Sequence, residues 1–347
     1  MIATRASTRP TASTAAVQRT PVVCAALRNN NNNNTQFRTA QQASGFSQRR
    51  CLATRSVSVD AEVVDVTSAP TRDVAVPKKK IKGRTVVVTG GSQGSGKATA
   101  LSFAKRGFNV VVAARQPERL QQVADMAQGL RGGAPGTALA VPTDISDPAS
   151  VKALFDAVAA TYEQVDVLVN CAGVCLTGPF EETTVDDFGS QMSINFFGHV
   201  AATQAFLPML KAGGGGSIVM VNSFGGVIPL RNMTAYTASK FALDGFSKAL
   251  SYELKDQGVH VGQVHPGVIA SDFMERSQFR GPKADAGRQT MQSMLSTGIA
   301  QQPQEIADAV MEVVDGKKCE VVVGPVFKAA VGAYRLTGAN PFAVSQP

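Results

Sequence analysis

Tyr236 and Lys240 stand four residues apart in the stretch Tyr236-Thr-Ala-Ser-Lys240. The apolar spacing around them is helical from Tyr236 to Lys255, so the two side chains share one helix face. A free tyrosine titrates at about 10 and exchanges protons poorly near neutrality. An ammonium close by favours the phenolate and brings the hydroxyl toward the working range. Such a pair can hand a proton to an oxygen that is gaining negative charge. Ser223, at the end of the apolar run Ser217–Val221, is placed to hydrogen-bond the same oxygen. Taken alone, Tyr236 and Lys240 also read as an amphipathic pair with a snorkelling lysine. His199 and His265 are accompanied by no second motif and are expected to be structural.

A second constellation is glycine-rich. The stretch Thr89-Gly-Gly-Ser-Gln-Gly-Ser-Gly-Lys97-Ala98 follows an apolar run and opens a helical one. Gly91, Gly96 and Lys97 fall on the fixed positions of a triphosphate-binding loop, but Ala98 stands where a hydroxyl should hold Mg²⁺. Thr89, Gly90, Gly94 and Gly96 instead fit a dinucleotide loop, with backbone N–H groups and a helix N-terminus aimed at phosphate. At the end of the next apolar run comes Ala113-Ala114-Arg115, where such a fold meets the adenosine ribose. An acid there would accept from a ribose 2′-hydroxyl, yet Ala114 holds the position and no acid lies between Gly107 and Pro117. Arg115 offers a guanidinium suited to a 2′-phosphate, so NADP(H) is the expected cofactor.

These residues need a frame. Short β-branched runs at Thr85–Val88, Asn109–Ala113, Ala138–Val141, Val165–Val169, Ser217–Val221, Val259–Val264 and Glu320–Val323 alternate with helical stretches. The helical stretches are Lys97–Arg106, Val151–Tyr162, Phe188–Leu210, Tyr236–Lys255 and Glu305–Val314. That pattern predicts an α/β fold: a single Rossmann-like doubly wound domain, its parallel seven-stranded sheet flanked by helices.

Taken in order, Thr89-Gly90-x-x-x-Gly94-x-Gly96, Asn170-Cys-Ala-Gly173, Ser223, Tyr236-x-x-x-Lys240 and Pro266-Gly267 resemble the short-chain dehydrogenase/reductase family. The resemblance spans about residues 83–325, and its most specific elements are the Tyr-x-x-x-Lys motif and the serine before it. It implies a hydride transfer between a nicotinamide and a carbonyl, with Tyr236 giving the proton and Lys240 also holding the nicotinamide ribose. It makes Asn195, Ser223, Tyr236 and Lys240 the catalytic set, Asn195 supporting a water chain to the lysine. The cofactor-binding residues it implies, besides Tyr236 and Lys240, are Gly90, Ser92, Gly94, Ser95, Gly96, Arg115, Asp144, Asn170, Ala172, Gly173, Pro266, Gly267, Ile269 and Ser271.

The chain departs from the family at several places. Ser95 replaces the usual Ile, Gln93 stands where many NADP-dependent relatives carry a base, Cys171 replaces an Asn, and Ser271 replaces a Thr. None of these changes removes a catalytic group. Phe273–Ala300 matches the substrate lid, and its Met274, Met291, Met294 and Leu295 suit either a lipophilic carbonyl compound or plain packing. The ending Glu320-Val-Val-Val-Gly324-Pro325 lacks the Asp-Gly-Gly of ketoacyl-carrier-protein reductases and looks more like ketosphinganine-type members. The ketoacyl-thioester reductase of plastid fatty-acid synthesis is the alternative, and a silent NADPH-binding scaffold or sensor is a reading of another class. A homodimer or homotetramer is the family expectation.

Composition bounds the rest. The formal charge of +8 lies wholly in residues 1–59, which hold eight Arg, no Lys and no acid, so the remainder is neutral. A neutral body gives no reason to expect nucleic acid as a partner. The Arg-rich, hydroxyl-rich, acid-free segment 1–59 is expected to be an organellar transit peptide, plastid rather than mitochondrial, followed by a linker at 60–82. Five scattered cysteines fit neither a disulfide framework nor a metal site, and Cys171 and Cys175 are expected to be reduced core thiols. The uncharged run Ala212–Leu230 has too many Gly and polar residues for a membrane span and is expected as strand and loop. The tail 326–347 has three readings: it covers the pocket, rests on a membrane surface, or packs on the body.

Overall fold

All seven β-branched runs form strands of one parallel sheet. The computed structural model describes residues 80–130, 136–271 and 273–342, so the expected transit segment and most of the expected linker lie outside the described residues. The linker's last residues belong to the body. Ile81 donates to the Thr161 carbonyl at 2.8 Å and packs on the core.

In chain order the first half runs β1 (Thr85–Thr89), α1 (Gly94–Lys105), β2 (Asn109–Ala114), α2 (Pro117–Gly129), β3 (Ala138–Pro142), α3 (Pro148–Thr161) and β4 (Val167–Asn170). A short β5 (Cys175–Thr177) leads to α4 (Val185–Met192), α5 (Gly198–Ala212), β6 (Gly216–Val221), α6 (Thr234–Leu254) and β7 (Val259–His265). The chain closes with α7 (Phe273–Arg276), β8 (Ser277–Phe279), α8 (Ala284–Leu295), α9 (Pro303–Gly316), β9 (Glu320–Val322) and α10 (Pro325–Thr337). The sheet order is β3-β2-β1-β4-β6-β7-β9, and β5 pairs with β8 in a separate two-stranded ribbon.

Alternate residues of each strand face opposite layers, which is why the strands read as unbroken apolar runs. Val86, Val88, Val110, Val112, Val167 and Val169 pack with Phe103, Leu120 and Val310 from α1, α2 and α9. Val87, Val111, Leu168, Ile218 and Met220 pack with Leu154, Phe206 and Leu243 from α3, α5 and α6. Each fully buried aliphatic or aromatic side chain contributes about 1.5–3 kcal/mol relative to exposure. The result is a rigid sheet whose strand order reverses between β1 and β4. A crevice opens there, beyond the carboxyl ends of the strands.

Several boundaries shift by one to three residues, and the helices before β6 differ most from expectation. The single helix expected over Phe188–Leu210 is α4 and α5 joined by a π-helical turn at Ser193–Phe197. Thr184 caps α4 through a reciprocal box with Asp187, which starts the helix three residues early. α2 was not expected: Pro117 supplies its first turn, and its apolar stripe of Leu120, Val123, Ala124 and Ala127 is buried.

The tail packs on the body. Phe327 and Val331 of α10 are buried, and Val331 joins Val227 and Ile228 in a small cluster that Phe342 borders. Among the described residues no helix is long and apolar enough to cross a membrane.

Candidate active site

The glycine loop between β1 and α1 is built so that backbone, not side chains, lines the crevice. Gly90 and Gly94 have φ of +67° and +54°, the left-handed region that glycine enters without penalty. A Cβ on Gly90 would lie 2.8 Å from the Ala172 Cα, and one on Gly96 would lie 2.2 Å from the Gly90 carbonyl oxygen. Thr89 Oγ1 accepts from the backbone N–H groups of Cys171 (3.1 Å) and Ala172 (3.3 Å), tying the end of β1 to the end of β4. His199 completes the joint: its Nε2 donates to the Ala172 carbonyl at 2.8 Å. Burial pulls this imidazole down to about 3, so it is neutral and structural, as expected.

A cleft runs from this loop across the sheet edge. Gly90, Ser92, Gln93, Ala114, Arg115, Asp144, Ala172, Gly173, Glu275 and Arg276 are among its walls. This cradle fits an extended dinucleotide: bare backbone stands where a pyrophosphate needs N–H groups, and basic and hydroxyl groups flank it. Asp144 accepts from the backbone and hydroxyl of Ser146, which hold its carboxyl below the usual range, with Arg115 adding to the effect.

At the far corner Arg119 of α2 reaches Gln93 Oε1 and pairs with Glu275 at 2.9 Å. It thus adds a second guanidinium behind Gln93, where the sequence left that position without a base. Arg119 lies in the first turn of α2, a helix the sequence reading did not find. Asn170 stands where the family has its central structural asparagine. Its amide donates to Thr203 Oγ1 (3.0 Å) and Met220 Sδ (3.3 Å), so the side chain turns into the body and braces β4. Ser95 Oγ lies 3.4 Å from Cys171 Sγ, the two replacement residues meeting under the loop.

The expected nicotinamide-side residues lie in the segment after β7. Ser271 approaches Gly94, whose Cβ would lie 3.3 Å from the serine Cβ. Ile269 bridges to Gln301, and the Gln301 side chain accepts from Gly267 N–H at 2.8 Å while donating to the Val323 carbonyl at 2.6 Å. Pro266 accepts from Phe224 N–H at 2.9 Å. Gln301 is a clamp that no sequence pattern announced, because its partners come from two distant segments.

Ser223, Tyr236, Lys240 and Asn195 converge beside this frame. Tyr236 hydrogen-bonds Ser223, whose Oγ also accepts from Gly225 N–H at 3.0 Å. Lys240 Nζ lies 6.0 Å from the Tyr236 ring centroid and donates to the Val221 carbonyl at 3.3 Å. Asn195 sits in the π-helical turn. Its Oδ1 accepts from Val174 N–H (2.9 Å), and its Nδ2 donates to the Val174 carbonyl and to Ser239 Oγ, each at 3.0 Å. A Cβ on Gly173 would lie 3.3 Å from Asn195 Oδ1 and 3.9 Å from Lys240 Nζ, which shows how closely the asparagine and lysine approach that glycine.

The electrostatics differ from the sequence expectation. Lys240 was expected to bring the Tyr236 hydroxyl down, but burial pushes it up, with Cys175 adding to the rise and Ser223 opposing it. The same burial pulls the Lys240 ammonium down to about 8. Both groups are buried, and loss of hydration, which disfavours the charged form of each, is the largest cause of both shifts. Cys175 is buried with its thiol pushed up to about 12, and Cys171, Cys175 and Cys319 are free thiols.

The segment expected to be a lid is tied to the body at Arg280. Arg280 pairs with Asp187 of α4 at 2.8 Å, and its N–H donates to the Thr177 carbonyl. Beyond it α8 buries none of its residues, so Met291, Met294 and Leu295 form no part of the core.

Comparison with known proteins identifies the family. The profile of a family described as short chain dehydrogenase matches residues 84–280. The chain is 34% identical over 232 residues to a D-threitol dehydrogenase of Mycolicibacterium smegmatis, covering 67% of this chain and 86% of that protein. It is 36% identical over 188 residues to the 3-dehydrosphinganine reductase of Danio rerio, covering 54% of this chain and 57% of that one. The crystal structure of a short-chain dehydrogenase from Streptomyces avermitilis aligns with a TM-score of 0.65 at 27% identity, covering 74% of this chain and 94% of that chain.

Proposed function

The chain belongs to the short-chain dehydrogenase family, and from that premise we propose that it is an NADPH-dependent reductase of a lipophilic ketone. The observation that carries the reading is the convergence of Tyr236, Ser223 and Lys240 beside the glycine cradle. A dihydronicotinamide bound in the cradle would supply hydride to the carbonyl carbon. Ser223 and Tyr236 hold the carbonyl oxygen from one side, and the Tyr236 proton moves to that oxygen as the C=O π bond becomes a lone pair. The phenolate left behind is stabilised by the Lys240 ammonium. Asn195 keeps the π-helical turn and the Gly173 loop in register with the lysine.

Direction and cofactor follow from the same groups. Burial favours the protonated Tyr236, which is the form that reduction consumes and alcohol oxidation must first remove. Arg115, with Arg119 behind Gln93, supports a 2′-phosphate where no acid from β2 stands to claim a 2′-hydroxyl. Exposed Met294 and half-buried Met291 and Leu295 of α8, with the likeness to a 3-dehydrosphinganine reductase, support a lipophilic substrate. A plastid location and family-like pairing of subunits through α5 and α6 complete the proposal.

The test is NADPH and NADH oxidation with long-chain ketones, an acetoacetyl thioester and polyol-derived ketones, with Tyr236→Phe as the blank. Turnover of long-chain ketones with NADPH, absent in the variant, is expected. Preference for the thioester would favour the ketoacyl reductase. Tight NADPH binding with no turnover of any carbonyl would favour the scaffold.

A further inference from the structure

Ser223 is held from behind by groups that belong to none of the motifs. His265, the last residue of β7, is fully buried, and its Nδ1 lies 2.8 Å from the Ser223 carbonyl oxygen. A carbonyl only accepts, so Nδ1 donates. On the other side of the ring Nε2 lies 3.0 Å from Glu320 Oε1, an ion-pair distance without the alignment of a full hydrogen bond. Glu320 is in turn gripped by both arms of Arg335 from α10, Nη1 to Oε2 at 2.8 Å and Nη2 to Oε1 at 2.6 Å. His265 and then Arg335 hold this carboxyl far below the usual carboxylate range.

We propose that His265, Glu320 and Arg335 are a positioning relay that fixes the peptide of Ser223, so that α10 sets the aim of the active-site hydroxyl. The relay rests on the reading of Ser223 as the oxyanion donor. Both ring nitrogens of His265 thus face oxygen atoms, Nδ1 the Ser223 carbonyl and Nε2 the Glu320 carboxylate. The Ser223 carbonyl also accepts from Gly226 N–H at 2.9 Å, and its Oγ from Gly225 N–H, so the short turn that follows is wound around one pinned peptide. Rotation of that peptide would swing Oγ away from Tyr236.

The other groups facing the ring are accounted for. Asp244 Oδ1 lies 3.9 Å from Nε2, but Gln263 donates to it at 2.7 Å and Lys248 holds its other oxygen at 2.7 Å. Asp244, His265 and Glu320 lie close enough together to suit a divalent cation. The carboxylate oxygens such an ion would take are already bonded to Arg335, Lys248 and Gln263. The cluster is therefore a closed charge network. α10 is itself anchored by Phe327, which lies against Phe224 with ring centroids 4.9 Å apart, and by an Asn340 amide bond to the Pro229 carbonyl at 2.7 Å.

The test uses the full chain with Glu320→Gln, which keeps the shape, and Arg335→Met, with Arg335→Lys as the partial rescue. Hydrogen exchange is read at the amides of residues 224–228, together with NADPH affinity, kcat and KM. In Glu320→Gln these amides are expected to exchange faster, with kcat down about tenfold to a hundredfold and NADPH affinity within about twofold of wild type. The double variant should be no worse than Glu320→Gln, because the groups act as a unit. Unchanged exchange at 224–228 in Glu320→Gln overturns the relay, as does faster exchange with undiminished kcat. If the wild type reduces no carbonyl, the functional reading fails on its own, and the exchange result alone still decides whether the relay pins Ser223.

Discussion

The Lys240 ammonium lies 6.0 Å from the centroid of the Tyr236 ring, and burial moves the two groups in opposite directions, the phenol up and the ammonium down to about 8. The lysine is thus cationic below pH 8 and loses its charge as the pH rises through that value. Reduction needs the cation to stabilise the departing phenolate, so activity should be present at neutral pH and fall on the alkaline side. The profile of kcat/KM for NADPH reports the free protein. It should decline roughly tenfold per pH unit above about 8. A profile flat to pH 10 would falsify the assignment of that charge to Lys240.

Removing the phenol should spare binding and remove chemistry. Tyr236→Phe keeps the buried ring and the helix, and its kcat is expected to fall by about 10²–10⁴, the usual contribution of a positioned acid. NADPH affinity by fluorescence titration should stay close to wild type. A variant that retains a tenth of wild-type kcat would move the proton donor elsewhere.

Cofactor choice is expected to turn on the corner at the end of β2. Ala114→Asp introduces an acceptor for a 2′-hydroxyl beside Arg115 and repels a 2′-phosphate. A charge-assisted hydrogen bond is worth about 1.5–3 kcal/mol, so the NADPH-to-NADH preference should fall by about 10- to 100-fold. Steady-state kinetics with both nucleotides read this directly, and an unaltered ratio means that Arg115 and Arg119 do not read the phosphate.

The glycine cradle predicts a steric effect. In Gly96→Ala the new methyl would sit 2.2 Å from the Gly90 carbonyl oxygen, which is backbone and cannot swing aside. Loss of nucleotide binding with a lowered melting temperature is expected. Gly107→Ala serves as contrast. Its φ of +79° strains an alanine, but nothing lies within 4 Å of its Cβ, so about 1–2 kcal/mol of stability is lost while binding survives.

The C-terminal helix should matter for stability as well as for aim. Phe327 is buried over Gly267, whose Cβ would fall 2.0 Å from the ring. Phe327→Ala opens a cavity there, and a loss of about 3–5 kcal/mol in denaturant unfolding is expected. A loss under about 1 kcal/mol would mean that α10 is only loosely docked.

The seven strands, the glycine cradle and the Tyr236–Lys240 face were all legible in the sequence, for one reason. Each depends on local spacing: unbroken β-branched runs for strands buried on both faces, glycine where a Cβ cannot fit, and a four-residue step that any helix turns into adjacency. Ser223 and Asn195 were legible through their order in the chain relative to those motifs. What only the tertiary structure decided depends on groups far apart in sequence. Burial moved Tyr236 up and Lys240 down, against the expected lowering of the phenol, because burial is a property of the assembled core. Asn170 turned into the body because Thr203 and Met220 came to lie beside it. Gln301 became a clamp, and His265, Glu320 and Arg335 a chain of contacts behind Ser223, because β7, β9 and α10 meet at one end of the sheet. Hydrogen bonds and desolvation act over a few ångströms of space, and a sequence carries no record of which distant residues will come that close.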